Sequence, residues 1–511
     1  MDRHALQKVS TTSHTYTSSD KIEVVVQSYC NVVFNCIAVF MNVSINKIYR
    51  AFAAAAVIML LVSCASYNHR IGNYYAQMVN GEYTAASASL DKNKLLQAKR
   101  NRLLFLFEKG KLAHMMNQFD SSNKYFNEAD IYMEDVRTTA GDVALGTLLN
   151  PMMQSYKGEA FEKFMIHYYK TLNYLSLNEP AEALVEARRI SIKSYELQDK
   201  TNNNQNKYSD DAFSLMLQGL IYEKNRDLNN AFISYRNAAD IYLKNNNSWY
   251  GVNMPVQLKN DLLRTAWLNG FTGELERYEG LLGQKYSPTE TSPGGELVVF
   301  WENGLAPVKR EQNFFFALTK DGLGDFAFVD PAGVFNIPFD FSTGVSRDKL
   351  KVEDLRSIRV AFPRYEEQPV SFSGASLTRD NEKFNFEKAE NINDLAFATL
   401  RERFLKEMSL TLSRVAVKKL AEIAARPKED AKNKNEKEAL ALAIQIFSLA
   451  SEKADTRNWQ SLPHTIYYSR IPLQTGSNVL KFNAVGQRDL TVDMTVDGNG
   501  SLQFRSLCSL K

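Results

Sequence analysis

"LMLQGLIYEKNRDLNNAFISYRNAADIYL", residues 215–243, holds the pattern that decides the fold. Gly219, Tyr222, Leu228, Ala231, Tyr235 and Ala238 fall at offsets 0, 3, 9, 12, 16 and 19. A second stretch, "LFEKGKLAHMMNQFDSSNKYFNEADIYM" (106–133), places Gly110, Ala113, Phe119, Ser122, Phe126 and Ala129 at the same offsets. The two share a tail, "KYFNEADIYM" against "SYRNAADIYL". A looser copy in 164–190 sets Tyr174, Ala183, Ala187 and Ile190 in the same register.

This spacing resembles the tetratricopeptide repeat, a helix–turn–helix unit of about 34 residues. Small residues such as Gly110 and Ala129 stand where the two helices of a unit cross. Large ones such as Phe119 and Tyr235 fill the space between. Each unit leaves an apolar face that only a neighbour can cover. The copies start 61 and 48 residues apart, so the array is irregular. A generic helical bundle with coincidental small residues is the competing reading.

Outward from this region the character of the chain changes twice. "SPTETSPGGE" begins at Ser287 and reads as a proline/glycine linker. Beyond it, "ELVVFWENG" (296–304), "FFFALT" (314–319), "DFAFVD" (325–330) and "SIRVAF" (357–362) are short, aromatic or β-branched runs bounded by turn residues. "TKDGLGD" and "DGNG" (497–500) read as hairpin turns. Helical spacing returns over 392–425 and 438–454, with a charged loop between, and strands resume at His464. The expected fold class is α+β multidomain: an all-α tetratricopeptide-like domain over 91–286, a linker at 287–295, and a β-rich domain over 296–511 with two inserted helices. Two separate small β units are the alternative for the last part.

Upstream, "AFAAAAVIMLLVSCAS" (51–66) sets an apolar run against a cysteine. Its apolar core is shorter than the about 20 residues that span a bilayer and has the length of a signal-peptide core. Lys47 and Arg50 flank it on the amino side. Leu61-Val62-Ser63-Cys64 resembles the lipobox of bacterial lipoproteins. That resemblance implies a diacylglycerol on the Cys64 thiol, cleavage before it and acylation of the new amino terminus. A start at Met41 gives a conventional signal peptide over 41–63. Residues 1–40 are then a mis-called extension, or else a segment translated and removed with the signal. Residues 64–90 read as a tether.

Composition narrows the partners. The formal net charge is +3, and residues 1–63 hold five basic and three acidic side chains, leaving the remainder near +1. No global basic field is present to hold nucleic acid. Of Cys30, Cys36, Cys64 and Cys508, only the last two survive processing, so no disulfide framework is expected.

No motif points to catalysis. His69, His114, His167 and His464 form no HExxH or Cys/His cluster, and no Ser stands in a G-x-S-x-G elbow. "GLGDFA" lacks the final glycine of a dinucleotide fingerprint. Asp210 and Asp211 read as helix caps. A non-enzymatic chain without cofactor or metal is expected. Tyr168, Tyr169 and Tyr174 in "HYYKTLNYL", with Tyr222, are the candidate partner-binding residues; packing between helices is the alternative role.

"FEKFMIHYYKTLNYLSL" with "EALVEARRI", "ENGLAPVKRE" (302–311), "DTRNWQSLP" (455–463) and "SRIPL" together resemble a family of uncharacterised bacterial tetratricopeptide-containing envelope lipoproteins. The resemblance implies location more than chemistry. Cys64 is followed by Ala65-Ser66 rather than an aspartate, which implies the outer membrane, facing the periplasm. The expected function is a lipid-anchored scaffold that binds an envelope protein through the concave face of its repeats. The alternative is binding of cell-wall glycan by the C-terminal part.

Overall fold

The computed structural model describes residues 67–135, 151–199, 211–288, 292–320, 324–339, 341, 351–355, 357–424 and 452–510. Among the described residues, eight helices pair into four antiparallel hairpins: α4 (Arg102–Met115) with α5 (Phe119–Asp135), α6 (Ala160–Ser176) with α7 (Pro180–Asp199), α8 (Ala212–Lys224) with α9 (Leu228–Lys244), and α10 (Val256–Leu268) with α11 (Thr272–Leu282). A two-stranded ribbon, β1 (Ser248–Trp249) and β2 (Val252–Asn253), separates the last two.

All four hairpins turn in the same way. Asn117, Asn178, Arg226 and Gly270 adopt left-handed φ angles of 57°, 60°, 61° and 71°. The next residue's N–H then bonds a carbonyl five residues back: Gln118 to Ala113, Glu179 to Tyr174, Asp227 to Tyr222 and Phe271 to Ala266, at 2.8–3.0 Å. This bond satisfies a carbonyl that the helix end would leave open. The turn therefore recurs at one register position in all four units, including the fourth, which the sequence pattern does not reveal. There Leu263 stands where Gly110 and Gly219 stand in the first and third.

The two glycines explain the crossings. A Cβ on Gly110 would lie 2.5 Å from the Phe126 ring, and one on Gly219 would lie 2.5 Å from the Tyr235 ring. Each aromatic ring thus rests directly on the partner helix backbone. In the second hairpin the sizes are exchanged, with Thr171 and Ala187 at the corresponding positions, both fully buried.

The strands build three four-stranded sheets. The central one has the order β10-β11-β3-β14, from β10 (Glu387–Asn391), β11 (Thr465–Pro472), β3 (Gly295–Asn303) and β14 (Ser501–Ser509). β14 runs parallel to β3, while β11 is antiparallel to both β3 and β10. Side chains alternate across β3. Val298 and Phe300 join the helical core, while Leu297, Val299 and Trp301 face the second sheet, β13-β12-β8-β9. The second sheet comprises β8 (Phe372–Arg379), β9 (Glu382–Asn385), β12 (Gly476–Gly486) and β13 (Leu490–Gly498). A strand covered on both faces reads as an unbroken apolar run, which is the pattern of "LVVFW". The third sheet, β6-β5-β4-β7, holds β4 (Val308–Lys320), β5 (Phe326–Val329), β6 (Asn336–Pro338) and β7 (Ile358–Glu366). It packs on α12 (Ile392–Ala424) through Phe404, whose ring lies 6.0 Å from Phe314 and 5.0 Å from Phe362.

Three expectations change. Most of the stretch 64–90, read as tether, forms α1 (Tyr67–Val79) and α2 (Tyr83–Lys92), because Tyr67, Ile71, Tyr74 and Met78 share one buried helical face. α3 (Lys94–Gln97) follows as a single turn. The linker at 287–295 divides compositions but not cores: residues from Ala65 to Lys511 form one compact unit. "DGNG" is not a hairpin turn, since β13 belongs to the outer sheet and β14 to the central one. There a Cβ on Gly498 would lie 2.0 Å from the Gln474 carbonyl oxygen, so the chain changes sheet where only glycine fits. "TKDGLGD" does connect an antiparallel pair, β4 with β5. The helix expected at 392–425 is α12; the one expected at 438–454 lies largely outside the described residues, as do Cys64 and residues 1–63.

Candidate binding site

The first helix of each hairpin turns toward the central sheet. From α4, Lys111 forms a buried ion pair with Glu302 of β3. From α6, the Tyr169 hydroxyl donates to the same carboxylate at 3.2 Å, and the Lys111 ammonium lies 4.3 Å from the Tyr169 ring centre. From α8 and α10, Glu223 and Asp261 close on Arg470 of β11 at 2.8 and 2.9 Å. Arg264 ties the same two acids together, and Tyr235 donates to Glu223 at 2.9 Å. Burial works against ionising Glu223, but Arg470 and Arg264 outweigh it and hold the carboxyl far below its usual range.

The segment 455–463 closes the same seam. Trp459 is fully buried, 4.6 Å from the Phe107 ring and 5.9 Å from Phe126 and Tyr169. Its backbone N–H donates to Glu162 at 2.7 Å. Arg457 donates to the Asn101 side chain at 2.9 Å, to the carbonyls of Gln154 and Pro151 at 3.0 and 3.2 Å, and to Asp455 at 2.7 Å. Lys309 of β4 pairs with Glu159, and Arg403 of α12 meets the same acid at 2.6 Å. Segments 302–311, 455–463 and 469–473 thus supply the strand side of several buried polar contacts with the helices. Their residue types suit a wet, charged junction that only folding makes dry.

The candidate residues divide accordingly. Tyr168 and Tyr169 are buried among Phe213, Phe300 and Trp459 and pack helix on sheet. Tyr222 is nearly covered and accepts a hydrogen bond from Arg188 at 2.9 Å. Only Tyr174 reaches open space. It lines an open surface groove of about 420 Å³ with Asp120, Asn123, Lys124, Asn127 and Ile131, between α5 and the α6–α7 turn. The face made by the first helices, where a partner was expected, is covered by the chain's own strands. His114 is buried as well; burial and the neighbouring Lys111 hold it down to about 4.

A second cleft escaped the sequence reading. It is small, about 30 Å³, and lies where α6, α8, the β1–β2 ribbon and the start of α12 meet. Asp211 and Glu390 both line it. Asp211 is the N-cap of α8, accepting the Phe213 N–H at 3.1 Å and the Ser214 hydroxyl. Glu390 gave no sequence signal, because it lies in a polar strand, "EKAEN", far from Asp211 in the chain. Burial raises both acids, Glu390 well above the carboxylate range, with the Asp211 charge adding to the effect. Among the described residues no group of three or more His, Cys, Asp or Glu could hold a metal ion.

Comparison with known proteins adds little. No family model matches the chain, and no curated protein matches it. Among solved structures, a crystal structure of MamA protein aligns with 44% of this chain and all of its own, at 12% identity and a TM-score of 0.25. A score that low carries no argument about fold or function.

Proposed function

We propose that this chain is a lipid-anchored lipoprotein of the cell envelope that serves as a non-enzymatic protein-interaction body. The observation that carries the reading is the basic flank and short apolar core closing on Leu61-Val62-Ser63-Cys64. Acyl chains at Cys64 would supply membrane residence; stable anchoring takes more than one chain. Among the described residues no helix is long and apolar enough to cross a membrane. The periplasmic leaflet of the outer membrane is the location the Ala65-Ser66 pair favours.

Protein partners suit helical hairpins, which present side chains on a rigid frame. With the first-helix face covered, the open groove at Tyr174 and Ile131 is the surface we assign to them. The test is affinity capture from detergent-solubilised envelopes with the full chain. Wild type is expected in the membrane fraction with a co-purifying protein. Cys64→Ala should leave the membrane, and a Tyr174→Asp/Ile131→Asp variant should stay there but lose the partner. Membrane retention of Cys64→Ala as firm as wild type would overturn the anchor. Sedimentation with purified cell wall instead of protein capture would favour the glycan reading. That assay also uses the full chain, since β3 is buried between helices and outer sheet.

A further inference from the structure

The first turn of α1 is pinned. Tyr67, its first residue, is 3% exposed, and Ile71, Tyr74 and Met78 follow it into the core. The Tyr74 and Tyr75 hydroxyls donate to Glu108 of α4. Asn68 fixes the turn from another side: its Nδ2 donates to the Lys309 carbonyl at 2.8 Å, and its Oδ1 accepts from Gln460 at 2.7 Å. Slack at this end could come only from unpacking those side chains. Cys64 stands three residues before Tyr67, with Ala65 and Ser66 between. Three residues reach at most about 11 Å. A headgroup layer is about 5–7 Å deep. A glyceryl group on the Cys64 sulfur, at the base of that layer, brings the first turn of α1 up against it.

We propose that phospholipid headgroups of the anchoring membrane are a partner of this end of the body, lying against the first turn of α1 and the adjoining end of β4. The inference rests on the lipoprotein reading and adds to it a contact surface and an orientation. The surface there is open and charged. His69 and Arg70 are exposed, Arg310 follows Lys309 in β4, and Arg364 stands opposite Arg310 on β7, the last two more than half exposed. Guanidinium groups suit phosphate oxygens. The neighbouring acids are already engaged: Glu366 pairs with Arg310, Glu367 with His464 at 2.9 Å, and Glu311 accepts the Ala454 N–H at 2.9 Å.

The same contacts aim the groove at Tyr174. Lys309 pairs with Glu159, the N-cap residue of α6, so α6 starts beside the membrane end. Tyr174 lies further along α6, at a helix rise of about 22 Å from Glu159. In that orientation the groove it lines, between α5 and the α6–α7 turn, stands clear of the headgroups and open to a partner. A long tether would let the body roll; three residues leave it one resting face.

The test is fluorescence quenching on the full chain, purified with its lipid and reconstituted in phosphatidylethanolamine/phosphatidylglycerol vesicles with added phosphatidylcholine that carries a nitroxide on its headgroup. In a Cys508→Ser background a single dye is placed at His69→Cys, at Arg310→Cys, or at Ile131→Cys in the groove, where the native side chain is 59% exposed. Both near positions should be quenched at least about fivefold more than Ile131→Cys, given the about 20 Å of α6 that separates the two ends. Two near positions keep the comparison decisive if circular dichroism shows one variant unfolded. Mass spectrometry of the same samples separates this inference from its premise. A chain lipidated at Cys64 whose near and far positions are quenched alike overturns the inference and leaves the anchor standing. A bare Cys64 thiol overturns both.

Discussion

Trp459 and Phe107 stack with ring centroids 4.6 Å apart, although 352 positions of chain separate them. One belongs to the irregular segment before β11, the other to the first helix of the first hairpin. The indole is fully buried, with Nε1 donating to Ser461 at 2.8 Å. Truncation to alanine removes the ring and leaves a cavity, which costs about 3–5 kcal/mol for Trp in a core. Trp459→Ala should therefore lower the urea midpoint for helix and sheet signals together, followed by circular dichroism. A loss below about 1 kcal/mol would show that the segment is an ornament on the helices rather than part of their core.

The helix crossings predict opposite signs for the same substitution. Gly219→Ala drives a methyl into the Tyr235 ring, and Gly110→Ala does the same to Phe126. Overpacking of this kind costs about 1–3 kcal/mol. Gly280 in α11 meets nothing within 4 Å. Gly280→Ala should stabilise by about 0.5–1 kcal/mol through helix propensity. Thermal melts of the three variants check this; destabilisation of equal size in all three would refute the crossing argument.

Arg470 is 2% exposed on its side chain and faces Glu223, Asp261 and Glu296. Arg470→Met keeps the volume and strands acids in a dry site. The expected loss is about 3–5 kcal/mol. It should be larger at pH 7 than at pH 4. Glu223 is held far down in the folded chain, so the stability it contributes is present above the unfolded carboxylate range and fades as pH falls. A loss independent of pH would mean that packing, not charge, is what Arg470 provides.

Glu108 reports in the other direction. It is buried in α4, where the hydroxyls of Tyr74 and Tyr75 donate to it, and burial raises it to about 7. A carboxyl raised in the fold contributes stability that is full below its ordinary range and is lost as pH rises through about 7. The shift corresponds to about 3 kcal/mol. Glu108→Gln, which cannot ionise, should match wild type near pH 4.5 and exceed it at pH 8. Denaturant titrations across that range give the difference, and a flat difference would remove Glu108 from the account.

Much of the helical half was legible because a helical hairpin is a local object. Gly110 and Gly219 announce their crossings, and Asn117 and Asn178 suit a left-handed turn. Arg226 does not, and Leu263 breaks the glycine pattern, so the shared turn and the fourth hairpin emerge only from coordinates. While β8, β9 and β10 gave no signal, the apolar strands β3, β5 and β11 were legible for the same reason. Their partners were not: "DGNG" has hairpin chemistry, yet its two flanks join different sheets. Pairing is decided by which apolar face meets which, and that is a property of the assembled layers.

By itself the sequence determined the repeating hairpin unit, the presence of strands at 296–304, 314–319, 325–330, 357–362 and beyond His464, and the apolar run ending at Cys64, since each depends on neighbours a few residues apart. Tertiary structure alone decided that the first-helix face is filled by strands of the same chain, that Tyr168 and Tyr169 are core, and that Glu390 and Asp211 share a cleft. Those relations join residues far apart in the chain. Their energies come from desolvation and charge, which exist only once the layers have closed.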